Sequence, residues 1–128
     1  MLLAAELVAL SYYRVLPLAC DDPLLSATCR RILADERGHV AFHRASLSRE
    51  LATMPAPARC AATLAWRAFV ALTAMVVAWD HRELLDLAGL SRAEFAGDVC
   101  ARARRLARAV GDPMLSREPS AAPLTTRA

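Results

Sequence analysis

Two carboxylates and an imidazole stand out in this chain: Glu6, and the pair Glu36 and His39 within Asp35-Glu36-Arg37-Gly38-His39. Carboxylate oxygens and an imidazole nitrogen together are the donor set for a divalent transition metal such as iron, manganese or zinc. Spacing brings them to one level. Glu6 and Glu36 are each 15 residues from Asp21, inside the break Leu16-Pro17-Leu18-Ala19-Cys20-Asp21-Asp22-Pro23. In an antiparallel helical hairpin, residues equidistant from the turn lie side by side. His39 follows Glu36 by three residues, so the two share a helix face. Six Glu and three His in 128 residues would give roughly 0.14 matches to E-x-x-H by chance, so context must carry the motif.

The context is an apolar seam. The first helix is expected from about Leu2 to Leu16, stopped by Pro17, with an inner face of Leu2, Leu3, Glu6, Ala9, Leu10 and Tyr13, and Ser11 and Arg14 turned away. The second starts with Asp22 as N-cap and Pro23 at the first helical position. Its inner seam reads Leu25, Cys29, Ile32, Glu36, His39, His43, Leu47, alternating steps of four and three. Arg30, Arg37 and Arg44 recur every seven residues as a solvated stripe. Burying two carboxylates uncompensated costs several kcal/mol each, and the seam offers no Lys or Arg at that level. A bound cation resolves the conflict; mutual hydrogen bonding or access to solvent is the plainer alternative.

The remaining elements are packing helices. Thr53-Met54-Pro55-Ala56-Pro57-Ala58 reads as a loop. A third helix spans about Ala58 to Ala88 and ends at Gly89, with Trp66, Phe69 and Trp79 as its core. Ser91-Arg92-Ala93-Glu94 is a capping box for a fourth helix with apolar positions Phe95, Val99, Leu106 and Val110. Gly111-Asp112-Pro113 ends it. The expected architecture is all-α: residues 1–112 as one helical domain, with a metal hairpin over 1–51, packing helices over 58–111, and a disordered tail over 113–128.

Composition narrows the setting. With 56% hydrophobic residues, 128 residues can bury a substantial core. All 16 basic residues are Arg, Lys, Asn and Gln are absent, and the net charge is +3. Scattered arginines with so small a net charge point away from nucleic acid. Cys20, Cys29, Cys60 and Cys100 form no C-x-x-C pair, which suits reduced thiols in a cytoplasm. The apolar N-terminus lacks the basic region of a secretory signal. Arg67 interrupts the run from Ala61 to Trp79, leaving about a dozen apolar residues against the ~18 needed for a membrane span. That run is expected to be a buried core helix.

Residues 1 to about 50, with Ala5-Glu6-Leu7-Val8-Ala9-Leu10 and Ile32-Leu33-Ala34-Asp35-Glu36-Arg37-Gly38-His39, resemble one helical hairpin of the ferritin-like di-iron carboxylate superfamily. Members build a four-helix bundle in which two helices each supply a Glu and two others each supply Glu-x-x-His. The resemblance covers about 40% of the chain. It implies Glu6 as a terminal carboxylate ligand, Glu36 as a bridging carboxylate, His39 as a terminal nitrogen ligand, and Asp35 as the acid that orients a ligating histidine. The implied cofactor is a di-iron or di-manganese pair, and the implied activity an oxidoreductase acting on oxygen, peroxide, iron or an organic substrate.

The pattern departs from the superfamily in one respect: the second Glu and the second Glu-x-x-His are absent. Asp80-His81-Arg82-Glu83 is out of register with a mid-bundle site. Either a homodimer about a two-fold axis completes the site or an upstream hairpin is missing before Met1. His43, one turn after His39, is a further candidate, as a direct ligand, as half of a zinc-binding His39-x-x-x-His43, or as a histidine beside the site. Tyr13 and Cys29 sit near it and read first as packing residues. The rival of another class is a non-catalytic helical interaction or scaffold protein with a relic or incomplete site; a peripheral membrane protein resting on the third helix is a third reading.

Overall fold

Local code in the sequence sets most of the helix ends. The computed structural model of the protein describes residues 2–111; the expected tail over 113–128 lies outside them. Five helices follow in order: α1 Leu2–Ala19, α2 Pro23–Ala52, α3 Ala56–Asp80, α4 Arg82–Leu87 and α5 Arg92–Gly111. No strand occurs among the described residues. The fold is an all-α helical bundle.

The caps form as their residue types dictate. The Asp22 carboxylate accepts from the Leu24 amide at 2.8 Å, with Pro23 opening α2. Gly89 adopts φ +71°, closed by the Leu90 amide bonding to the Leu85 carbonyl at 2.9 Å, and glycine meets no steric cost there. At the start of α5 the Glu94 amide donates to Ser91 Oγ at 3.2 Å, and the Glu94 carboxylate accepts from the Ser91 amide at 2.8 Å. That exchange is the expected capping box.

Three expected helix boundaries are corrected. Pro17 does not stop α1, which runs on to Ala19 with the proline inside; so close to the C-terminus the missing amide disturbs only the last turn. Ala56, Pro57 and Ala58 belong to α3 rather than a loop, with Pro55 at its N-cap, because prolines are tolerated in a first turn whose amides have no helical partners. The long third helix is broken at His81 (φ −103°, ψ 25°), and the resulting bend lets α4 bury Leu85.

Helix α1 packs along α2, α3 packs along α5, and α5 also bears on α2 and α1, while α4 closes against α1. This places α1 at the centre. It buries Leu3, Ala4, Glu6, Leu7, Val8, Leu10, Ser11 and Val15, which at 3.6 residues per turn cover about 200° of its circumference. The expected inner face therefore was too narrow, and Leu2, assigned to it, is exposed. By contrast α2 fully buries only Cys29 and Leu33; Leu25, Ile32, Glu36, His43 and Leu47 of its seam are half-buried and His39 is exposed. Arg30 and Arg37 are exposed as expected, whereas Arg44 is half-buried in the groove between α2 and α5.

The third helix departs furthest from its expected role. It fully buries only Val70, Ala74 and Ala78; Trp66 is half-buried, and Phe69 and Trp79, assigned to the core, are exposed. Helices α1 and α3 are both long and apolar enough to cross a membrane, yet the most apolar window is 44% buried in α1 and 11% buried in α3. So α3 is not a buried core helix.

Ser11 was expected to face outward, but it is buried against α5. Its hydroxyl donates to Asp98 Oδ2 at 2.7 Å and accepts from Arg102 Nε at 3.0 Å, while Arg102 Nε also reaches Asp98 at 2.9 Å. Burial pushes the Asp98 carboxyl upward, but the hydrogen bonds from Ser11 and Arg102 and the charges of Arg102 and Arg14 outweigh it and hold the carboxyl below its ordinary value. A depressed folded-state value contributes stability above the unfolded-state pKa, and that contribution is lost as pH falls through the folded value. Urea midpoints should therefore drop as pH falls below about 4, and Asp98→Asn should show a smaller acid-side drop from a lower starting point. Parallel pH profiles for both chains would contradict this account.

Candidate metal centre

Glu6 is the one carboxylate within the central helix, and α1 buries it to 5% exposure. Its position follows from the apolar residues on either side, Leu3 and Leu7, which must enter the core and carry the glutamate in with them. One of its oxygens, Oε1, lies 3.2 Å from His43 Nε2 on α2. The other, Oε2, is buried without a hydrogen-bond partner. A buried, unpartnered carboxylate oxygen is costly and asks what it is meant to meet.

Near the Glu6 carboxylate stand Glu36 and His39. One ligand atom from each of Glu6, Glu36 and His39 falls within 4.8 Å of the others. Donor atoms sharing one first-row ion sit about 3–4 Å apart, given bonds of about 2.0–2.2 Å, so a separation of up to 4.8 Å is somewhat wider than one ion requires. His39 Nδ1 already lies 3.4 Å from Glu36 Oε2, as the three-residue spacing on α2 requires. Burial is graded across the group: Glu36 keeps 21% of its side chain in solvent and His39 keeps 61%. The site is a notch at the α1–α2 edge, with a buried floor and an open rim, and the expectation that both carboxylates are buried holds for Glu6 alone.

The other candidates separate. His43 is half-buried and its contact is to Glu6, so it braces the buried carboxylate, and the group that comes together contains His39 rather than a His39/His43 pair. Asp35 is exposed, and among the described residues it makes no hydrogen bond or ion pair with either histidine. Tyr13 packs on the core and meets Tyr12 edge-on at 5.5 Å. Tyr12 in turn meets His81 at 4.9 Å, and burial, with lesser contributions from Tyr13 and Cys29, raises its phenol above the ordinary value. Cys29 is fully buried beside these residues. Asp80, His81 and Glu83 stay at the α3–α4 junction, away from the notch, as their register implied.

Sequence reasoning missed the bracing contact of His43 with Glu6 and the Ser11–Asp98–Arg102 group. The first had a signal, since Glu6 and His43 are level to within two turns of the hairpin; the second joins residues 87 and 91 positions apart and had none. The residues present suit a divalent transition metal: hard carboxylate oxygens, borderline imidazole nitrogen, no thiolate, and two negative charges when the histidines are neutral. Comparisons of the chain with family models, with curated proteins and with solved structures find no match to any of them.

Proposed function

We propose that this chain is a metal-binding helical-bundle protein whose Glu6, Glu36 and His39 hold iron or manganese as one half of a carboxylate-bridged di-metal centre, in the manner of the ferritin-like di-iron carboxylate superfamily its hairpin resembles. The observation that carries the reading is the Glu6 carboxylate, which has one buried oxygen, Oε2, without a partner and an oxygen within 4.8 Å of donor atoms of Glu36 and His39. When bound, such a metal pair supplies one-electron redox chemistry toward oxygen or peroxide, so the activity proposed is that of an oxidoreductase. Oxygen, peroxide, iron itself or an organic molecule is the substrate.

Each residue has a task in this reading. Glu6 offers a carboxylate that cannot swing away, because the core fixes its stem and His43 holds Oε1. Glu36 offers oxygens at the boundary of core and solvent, and His39 offers a nitrogen at the rim. Three ligands cannot hold two ions. A second copy related by a two-fold axis would bring the set to four carboxylates and two histidines, and exposed Leu2 and Phe42 on the hairpin would be covered in that pairing. An upstream hairpin would serve equally. Residence in the cytoplasm is part of the same proposal, supported by the four free cysteines.

One observation favours a second reading. With His39 61% exposed and Leu18 and Leu24 also in solvent, the hairpin has the character of an interaction surface, so a non-catalytic scaffold protein with a relic site is the alternative.

Metal content decides between them. After loading with Fe(II) or Mn(II) and desalting, Glu36→Ala and His39→Ala should lose bound metal, Arg37→Ala should keep it, and His43→Ala should weaken affinity about 10–100-fold as the brace is lost. Equal metal in all four variants would discard the site.

Stability and mass should respond together. Metal at ~100-fold above its dissociation constant should stabilise the fold by about 2.7 kcal/mol against chelator, read as a rise of several degrees in Tm, and native mass spectrometry should show a metal-dependent doubling of mass with one metal per chain. Identical melts and masses with and without metal would favour the scaffold reading.

A further inference from the structure

The outer face of α3 carries a pattern that neither the core nor the metal notch uses. Ala61, Ala65, Ala68, Leu72, Met75 and Trp79 are all exposed, and they follow one another by four, three, four, three and four residues. This is the 3.5-residue seam by which one helix pairs with another, repeated over two and a half heptads. The opposite face of α3, with Val70, Ala74 and Ala78, is already occupied inside the bundle.

The seam is graded in size, and the grading is symmetric. Ala61, Ala65 and Ala68 lie nine, five and two residues before Val70; Trp79, Met75 and Leu72 lie nine, five and two residues after it. Two such helices laid antiparallel, with a two-fold axis level with Val70, set every large side chain against an alanine: Trp79 on Ala61, Met75 on Ala65, Leu72 on Ala68. Alternating large and small residues across facing positions fills space without overpacking, and a two-fold interface must be self-complementary in this sense. Trp79 is held in place for it. Arg92 lies over the Trp79 ring at 4.8 Å, fixing one face and leaving the other to a partner.

The area is also right. Leu64, Phe69, Leu72, Met75, Val76 and Trp79 remain 38% to 64% exposed, roughly 700 Å² of apolar side chain against the ~800 Å² that one partner contributes to a standard interface. We propose that a second copy of this chain docks antiparallel on the outer face of α3, about a two-fold axis level with Val70. A lipid surface would gain nothing from the graded order, and it would have to accommodate the exposed Arg67 midway along the helix. This interface is separate from the metal notch and needs no metal.

The test is sedimentation equilibrium of the full chain in EDTA at tens of micromolar. A dimer is expected. Leu72→Glu combined with Met75→Glu should raise the dissociation constant at least about 100-fold with helical circular dichroism unchanged, since both positions are exposed. His39→Ala, and Leu24→Glu on α2, should leave the chelated dimer intact, which separates this interface from the metal-dependent doubling of mass. Direction is read in a Cys60→Ser background: Ala65→Cys and Met75→Cys chains should form a disulfide when mixed and neither should link to itself. A wild-type monomer in EDTA, self-linking of Ala65→Cys, or a monomer that floats with phosphatidylcholine vesicles would each overturn the proposal, and none of them would bear on metal content.

Discussion

A carboxylate inside the central helix is the constraint around which the rest of the molecule is arranged. Glu6 sits among Leu3, Leu7 and Leu10 on a helix that touches every other element, so its charge must be met within the hairpin. His43 meets one oxygen and leaves the other unpartnered. An apolar residue of similar volume at this position would pack at no desolvation cost. A glutamate stands there instead, with an oxygen within 4.8 Å of donor atoms of Glu36 and His39, and the metal binding proposed above would offset its cost.

The second polar arrangement of α1 works differently. Ser11, Asp98 and Arg102 Nε bond to one another at 2.7–3.0 Å, tying the central helix to α5 in a fixed rotation and height, although Arg102 Nη2 is buried without a partner. This matters for the notch because α1 is apolar nearly all round, and purely apolar contacts leave a helix free to slide or turn at little cost. With the rotation fixed on the α5 side, Glu6 is held toward α2. A hydrogen-bonded group remote from the notch thus positions the carboxylate within it.

How much of this was legible depended on the range of the interaction. The Asp22–Pro23 start, the Gly89 stop and the Ser91–Glu94 box were all readable because each joins residues within about four positions. The meeting of Glu6, Glu36 and His39 was readable as well, since one short turn converts sequence distance into height along a hairpin. Beyond the hairpin the reading weakened. Ser11 looked like an outward residue because its partners are on the last helix, and Phe69 and Trp79 looked like core because hydrophobicity does not say which of two apolar faces is covered. The break at His81 carries neither glycine nor proline and left no local mark.

The central position of α1 also has a meaning in time. The hairpin of α1 and α2 can close as soon as about fifty residues exist, with Glu6, Glu36 and His39 already opposed. The far side of α1 must wait for α5, whose Asp98 is 87 residues downstream of Ser11. At ~5–20 residues per second that is about 4–17 s of synthesis, during which a helix apolar enough to cross a membrane is clothed on one side only. If the proposed cation were taken up in that interval, it would act as a clasp on the hairpin until α5 arrived.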